Sequence, residues 1–267
     1  MFKMIVTDLD GTLLNKTRKL TEETKQYLKS LKEQGYIIVI ATGRIYVSAL
    51  TATDGAIFAN YLITDTGACI YQVTDEPIFQ NLIGKEIVEK LFEYYNEEFR
   101  FMDVCNKNMI YKYSKTEVEN SDFVKTVTNP GDILKENLEI SHVSIVMNTN
   151  EAVLNLYEKL VIEFPELEIL IMQDSFKDNK WIEIMAKDCS KYRAIKNLAE
   201  HLGIQNEEII TFGDGRNDID MIENCGYGVA LENALPEVKK VAKDITSLDN
   251  NHDGVMHYLQ SIIKRVN

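Results

Sequence analysis

Short apolar runs bounded by glycine-bearing turns alternate along this chain with stretches of helical periodicity. Residues 3–7, 37–41 and 208–212 read KMIVT, IIVIA and EIITF, continuous enough to be strands buried on both faces of a parallel sheet. Helical patterns lie between them. Thr21 can cap a helix whose first turn holds Glu22 and Glu23, whose apolar face carries Tyr27, Leu28 and Leu31, and which ends at Gly35. A second pattern opens at Ser190 and Lys191, runs to Leu202 and stops at Gly203. Beyond it, residues 219–223 read as a helix, 227–230 as a short strand and 254–263 as a terminal helix. This alternation predicts an α/β core built on a doubly wound parallel sheet.

Residues 82–186 follow a different rhythm. The pattern predicts a helix over 85–98, strands over 101–105 and 109–113, and a helix over 116–127. A strand over 143–147, a helix over 151–163 and strands over 167–172 and 181–185 follow. Such a mixture predicts a separate α+β layer on one antiparallel sheet. The chain's 267 residues also exceed the roughly 100 to 200 of a typical domain. The expected organisation is therefore a discontinuous core, residues 1–81 and 187–267, with residues 82–186 inserted as a second domain.

Composition narrows the class. At 45% hydrophobic residues the chain can fill a core, and no apolar run approaches the roughly 20 residues of a membrane helix. The run Met1 to Val6 is too short for a signal peptide and leads directly into Asp8, so the expected compartment is the cytoplasm. Cys69, Cys105, Cys189 and Cys225 lack metal or redox spacing and read as buried free thiols. A net charge of −13 argues against nucleic acid as a partner. Any site for an anionic ligand must therefore be a local positive spot in a repulsive field.

Candidate chemistry concentrates at strand ends. DLDGT at 8–12 places two carboxylates two residues apart where a strand gives way to a turn at Gly11. In an open parallel sheet that edge is where ligands bind, and the pair suits a carboxylate nucleophile beside a carboxylic acid. ATGR follows the second strand at 41–44, and GDGRND follows a later one at 213–218. Lys191 stands in a first helical turn, where the macrodipole disfavours a cation. An anion is expected beside it.

These four motifs, DLDGT, ATGR, SK at 190–191 and GDGRND, resemble in content and order the haloacid dehalogenase superfamily of phosphotransferases. Within it the chain is most similar to the Cof-type phosphatases with an inserted C2-type (IIB) cap, over nearly its whole length. The resemblance implies a Rossmann-like core with an α+β cap. It also implies magnesium-dependent hydrolysis of small phosphomonoesters, with sugar phosphates or related metabolites as substrates. Asp8 would form an aspartyl phosphate, and Asp10 would act as general acid and then as base. Thr42 and Lys191 would be catalytic groups on the transferring phosphoryl, with Gly43, Arg44 and Asn217 completing the phosphate site. The implied metal ligands are Asp8, the backbone carbonyl of Asp10, and Asp214, with Asp218 ligating through water or orienting its loop.

Two other functions fit the same motifs. A sugar phosphomutase would return the phosphoryl group to a sugar, and a non-enzymatic phosphometabolite-binding module would use phosphoaspartate as a switch. Asp10 beside the nucleophile favours hydrolysis, because an adjacent acid/base shortens the life of an acyl phosphate. One position departs from the family pattern: TDTGA at 64–68 carries Thr66 where relatives often have asparagine.

Overall fold

Met4, Ile5, Val6 and Thr7 are all fully buried, because the strand they form lies in the middle of a sheet. The structure is a computed structural model that describes residues 1–73, 77–116, 119–136, 138–173 and 179–263. The chain divides into two compact units. One comprises Met1–Arg44, Ala49–Phe79 and Ser190–Asn267, the other Ile45–Ser48 and Gln80–Cys189.

The chain begins with β1 (Met4–Thr7), α1 (Glu22–Glu33), β2 (Ile37–Ala41), α2 (Tyr46–Ala52), β3 (Tyr61–Thr64), β4 (Cys69–Gln72) and β5 (Pro77–Gln80). Thr21 caps α1 by accepting the Thr24 N–H, and two glutamates fill its first turn. Leu28 and Leu31 are buried beneath it, each contributing about 1.5–3 kcal/mol. Then come α3 (Lys85–Glu93), β6 (Phe99–Cys105), β7 (Ile110–Tyr113), β8 (Val124–Val127), α4 (Pro130–Leu134), β9 (His142–Met147), α5 (Asn150–Glu163), β10 (Leu167–Gln173) and β11 (Lys180–Ala186). The chain closes with α6 (Lys191–Leu202), β12 (Ile209–Gly213), α7 (Ile219–Asn224), β13 (Tyr227–Ala230), α8 (Pro236–Val241), β14 (Asp244–Ile245) and α9 (Gly254–Ile262).

The first sheet runs β14-β13-β12-β1-β2-β3-β4-β5. Pairing is parallel from β14 through β3 and turns antiparallel between β3 and β4. From β1 the chain winds outward through β2 and β3, whereas its later return winds the other way through β12, β13 and β14. The strand order therefore reverses at β1 and β12, where open α/β sheets form their ligand crevice.

The second unit carries a sheet in the order β10-β11-β9-β6-β7-β8. Alternate residues Met102 and Val104, Val143 and Ile145, and Ile182 and Ile184 share a core with Val88 and Leu91 of α3 and Val153 and Leu160 of α5. Two expectations need correction here. The sheet is mixed, because β7 and β8 pair in parallel. The helix expected over 116–127 does not form over its described part, residue 116 and residues 119–127, which end in strand β8; residues 117–118 lie outside the described residues. Val124, Thr126 and Val127 are β-branched and stiff in a helix. Around them, the Asn120 carboxamide accepts the Thr126 N–H and the Thr126 hydroxyl donates to the Glu119 carbonyl, bonds that compete with helical ones.

All four cysteines are buried thiols. Among the described residues, no helix is long and apolar enough to cross a membrane.

Candidate active site

The carboxyl ends of three neighbouring strands carry the site. Asp8 follows β1 directly, and its N–H donates to the Phe212 carbonyl of β12 at 3.0 Å, so its backbone is fixed between strands. Thr42 follows β2, donating its N–H to the Ile63 carbonyl at 2.8 Å and accepting the Arg44 N–H on its hydroxyl at 3.2 Å. Asp214 follows β12. Lys191 comes from elsewhere in sequence, as the first residue of α6, whose cap is the Ser190 hydroxyl accepting the Arg193 N–H.

Lys191 is wholly buried, and its Nζ donates to Asp8 Oδ1 and to Asp218 Oδ1, each at 2.6 Å. The anion expected beside this lysine is thus a pair of carboxylates. Asp218 is fully engaged: its Oδ2 accepts the N–H groups of Asp214 and Gly215, both at 2.9 Å. Its geometry fits the loop-orienting role more closely than direct ligation of a metal. Asp214 Oδ1 accepts the Thr12 hydroxyl at 2.6 Å. Gly11 (φ +85°) lets the loop pass over this carboxylate, since a Cβ there would stand 2.3 Å from Asp214 Oδ2. Gly11→Ala is therefore expected to destabilise the protein by about 1–3 kcal/mol through strain and clash, measured by urea denaturation. Unchanged stability would contradict this packing.

Asp8, Asp214 and Asp218 present ligand atoms within 4.8 Å of one another. Lys191 brings one positive charge to three carboxylates, which leaves an excess of two negative charges in a buried place. The consequence is visible in the acidities of Asp8 and Asp214. Burial, followed by repulsion from Asp218 and Asp214, holds the Asp8 carboxyl well above the usual range despite Lys191. Burial and Asp218 push Asp214 up to about 7. Burial alone would lower the Lys191 pKa, but attraction to Asp218 and Asp8 outweighs it and the pKa rises. Asp8 Oδ2 and Asp214 Oδ2 accept no hydrogen bond from the described residues. An oxygen-only donor set with two spare negative charges fits a hard divalent cation.

Asp10 lies outside that group of three. Its side chain is 48% exposed and takes both a Nε and a Nη2 hydrogen bond from Arg44, at 2.6 Å each. Arg44, expected on the phosphate, therefore holds the second aspartate of DLDGT. Gly43 and Asn217 are brought together, with Asn217 Nδ2 3.8 Å from the point a Gly43 Cβ would occupy.

Two supporting residues escaped the sequence reading. Thr12 orients Asp214, a pairing across 202 positions. Asp220 accepts the Tyr192 N–H at 3.2 Å and bonds the Ser190 side chain, tying the start of α6 to α7. A signal for it existed: the first turn of α6 has no acid of its own, so one from outside is favourable there.

The sequence model of the haloacid dehalogenase-like hydrolases matches residues 5–259. The chain belongs to this hydrolase family. A Haemophilus influenzae protein described as "Putative phosphatase" is 30% identical over 97% of this chain and 98% of its own. The crystal structure of a haloacid dehalogenase-like hydrolase from Bacteroides thetaiotaomicron superposes with a TM-score of 0.84 at 25% identity, covering 98% of this chain and 100% of that one. The family's subclass IIB sugar phosphatase BT4131 shares the fold at a TM-score of 0.79 and 23% identity, over 97% and 98% of the two chains.

Proposed function

We propose that this hydrolase acts as a magnesium-dependent phosphatase on small phosphomonoesters, with sugar phosphates of the cytoplasm as its substrate class, through an aspartyl phosphate on Asp8. The observation that carries this reading is the state of Asp8: a buried carboxylate at the point where strand order reverses, one oxygen held by Lys191 and the other without a hydrogen bond. Asp8 Oδ2 attacks phosphorus and the bond to the ester oxygen breaks, while Asp10 gives that oxygen its proton. Water then attacks the phosphoryl group while Asp10 takes a proton from that water, the bond between Asp8 and phosphorus breaks, and phosphate leaves a regenerated Asp8.

Both Asp10 oxygens accept from Arg44 in this structure, so that pair must loosen for Asp10 to carry the proton, which frees the guanidinium for the phosphoryl oxygens. The Thr42 hydroxyl already accepts from the Arg44 N–H, so its own proton is available to a phosphoryl oxygen. Lys191 offsets the charge gathering around Asp8. Magnesium held by Asp8, the Asp10 carbonyl and Asp214, with Asp218 orienting the loop, would supply further charge neutralisation on the transferring phosphoryl group. The Gly43 and Asn217 positions complete the phosphate pocket. Residues 1–81 and 187–267 are the catalytic core in this reading, and the 82–186 insertion selects the leaving group.

The test is phosphate release from a broad panel of phosphorylated metabolites, with and without magnesium. Magnesium-dependent release, strongest with sugar phosphates, supports the proposal, and no release from folded protein overturns it. The buried carboxylates add a pH signature. With a folded pKa near 7 against 3.8 for a free aspartate, Asp214 binds more protons folded than unfolded between those values. Stability without metal therefore falls as pH rises from about 4 to about 7. Magnesium competes with the same protons. Its addition should raise the melting temperature little near pH 5.5 and increasingly up to about pH 8. A magnesium effect independent of pH would contradict the assigned ligands.

A further inference from the structure

Among the described residues the two sheets end in four edge strands, β5, β14, β8 and β10. Three are protected in the ways natural proteins use against stray strand pairing. β5 has four residues and begins with Pro77, which has no N–H to offer. β14 has two residues, one of them Asp244. The outer side of β8 is engaged by the residues before it: the Ser121 N–H donates to the Val124 carbonyl at 3.0 Å, and the Asn120 carboxamide accepts the Thr126 N–H at 2.9 Å. β10 has none of these devices. It is seven residues long, LEILIMQ, with no proline, no lysine and a single charge. Its register with β11 runs without a bulge from Leu167–Ala186 to Gln173–Lys180. Among the described residues no strand lies on its outer side.

The helix beside this edge continues the apolar surface. One flank of α5 is turned toward α3, where Glu163 accepts the Tyr94 hydroxyl. The opposite flank carries Leu154, Tyr157 and Val161, spaced i, i+3 and i+7. Leu154 is 44% exposed, and Tyr157 and Val161 are half-buried against the same core as Leu167 and Ile171 of β10. Strand edge and helix flank thus make one face, about 23 Å long at 3.3 Å per strand residue. Its only charge is Glu168, so a basic partner would find little to pair with.

The face is complementary to itself. A two-fold axis perpendicular to the sheet at Leu170 lays two β10 strands antiparallel over all seven residues and keeps both α5 helices on one side. Leu170 then meets the partner's Leu170, Ile169 meets the partner's Ile171, and Glu168 meets the partner's Met172, so no like charges are opposed. Each shift of the axis by one residue leaves two residues of each strand without a partner. We propose that β10 and the adjoining flank of α5 form a homodimer interface that continues the sheet from one copy into the next. The proposal is independent of the phosphatase reading.

Sedimentation velocity between about 2 and 200 µM should show a monomer–dimer equilibrium, as expected for a face of this modest size. Leu170→Lys and Leu170→Glu each place like charges at the axis and should weaken self-association at least about tenfold. Mixed in equal amounts, the two should form a heterodimer at least about tenfold tighter than either variant with itself. Leu154→Glu, at an exposed helix position, should also weaken the dimer about tenfold, with circular dichroism confirming that each variant is folded. A wild type that stays monomeric, or that grows beyond a dimer with concentration, overturns the proposal. So does a dimer that survives these substitutions, or a Lys and Glu mixture that remains monomeric. If the Leu170 variants do not fold, amide exchange in wild-type β10 decides: it should slow as concentration rises while β5 does not change, and exchange independent of concentration overturns the interface.

Discussion

Asp8→Asn is expected to keep the fold while lowering kcat by at least about a thousandfold. The amide matches the carboxylate in shape but offers no nucleophilic oxygen, and the Asp8 position is fixed by the sheet through its N–H to Phe212. The electrostatics add a less obvious part to the prediction. Asp8 is one of three buried carboxylates served by a single lysine, and its acidity shows that ionising it there is unfavourable. The variant without metal should therefore be at least as stable as wild type at neutral pH, with a smaller response to magnesium. Phosphate release and thermal denaturation in parallel check both parts. Activity within tenfold of wild type would exclude Asp8 as the nucleophile.

Lys191→Met is the second large effect, and it should appear in stability as well as in turnover. Methionine keeps the stem and the helix but removes the ammonium from between Asp8 and Asp218. Breaking one side of a buried ion pair typically costs about 3–5 kcal/mol, because the remaining charges are left without compensation. An exposed pair such as Lys135 with Asp132, 77% and 53% exposed, should matter by less than about 1 kcal/mol. Urea denaturation of Lys191→Met beside Lys135→Met makes the contrast. The Lys191 deficit should shrink in acid, where the carboxylates are protonated, and in high magnesium. A loss below about 1 kcal/mol would contradict the buried charge arrangement.

Much of this site was legible because its members stand where strands end. Asp8, Thr42 and Asp214 each follow an apolar run directly, and the crevice position then follows from parallel order. Lys191 was legible for a different reason, since a lysine in a first helical turn poses an electrostatic problem that a nearby anion solves. What stayed hidden depends on partners far away in sequence. Thr12 meets Asp214 across 202 positions and Asp220 meets Tyr192 across 28; the acid-free first turn of α6 calls for an acid from outside, but no local pattern says which one. Arg44 adds a third such pairing, its guanidinium lying on Asp10 across 34 positions.

The fold divides in the same way. Long periodic helices such as α1, α5 and α6 and the continuous runs of β1, β2 and β12 are visible in the sequence. The four-residue strands β3, β4 and β5 are not, because their runs are short and the turn between β3 and β4 is marked only by Gly67. In the second unit the helix expected over 116–127 gives way to β8, where β-branched side chains and local bonds from Asn120 and Thr126 outweigh a weak helical pattern. The same residues make the sheet mixed by adding a parallel strand at its edge.

The central claim is covalent catalysis at Asp8, and trapping the intermediate tests it most directly. Wild-type protein turning over a sugar phosphate with magnesium would be quenched in acid, digested and mapped by mass spectrometry. The account predicts a phosphate on the Asp8 carboxylate, released by hydroxylamine and missing in Asp8→Asn. Steady phosphate release with no phosphate on Asp8 at any quench time, under conditions where Asp10→Asn also accumulates none, would contradict it.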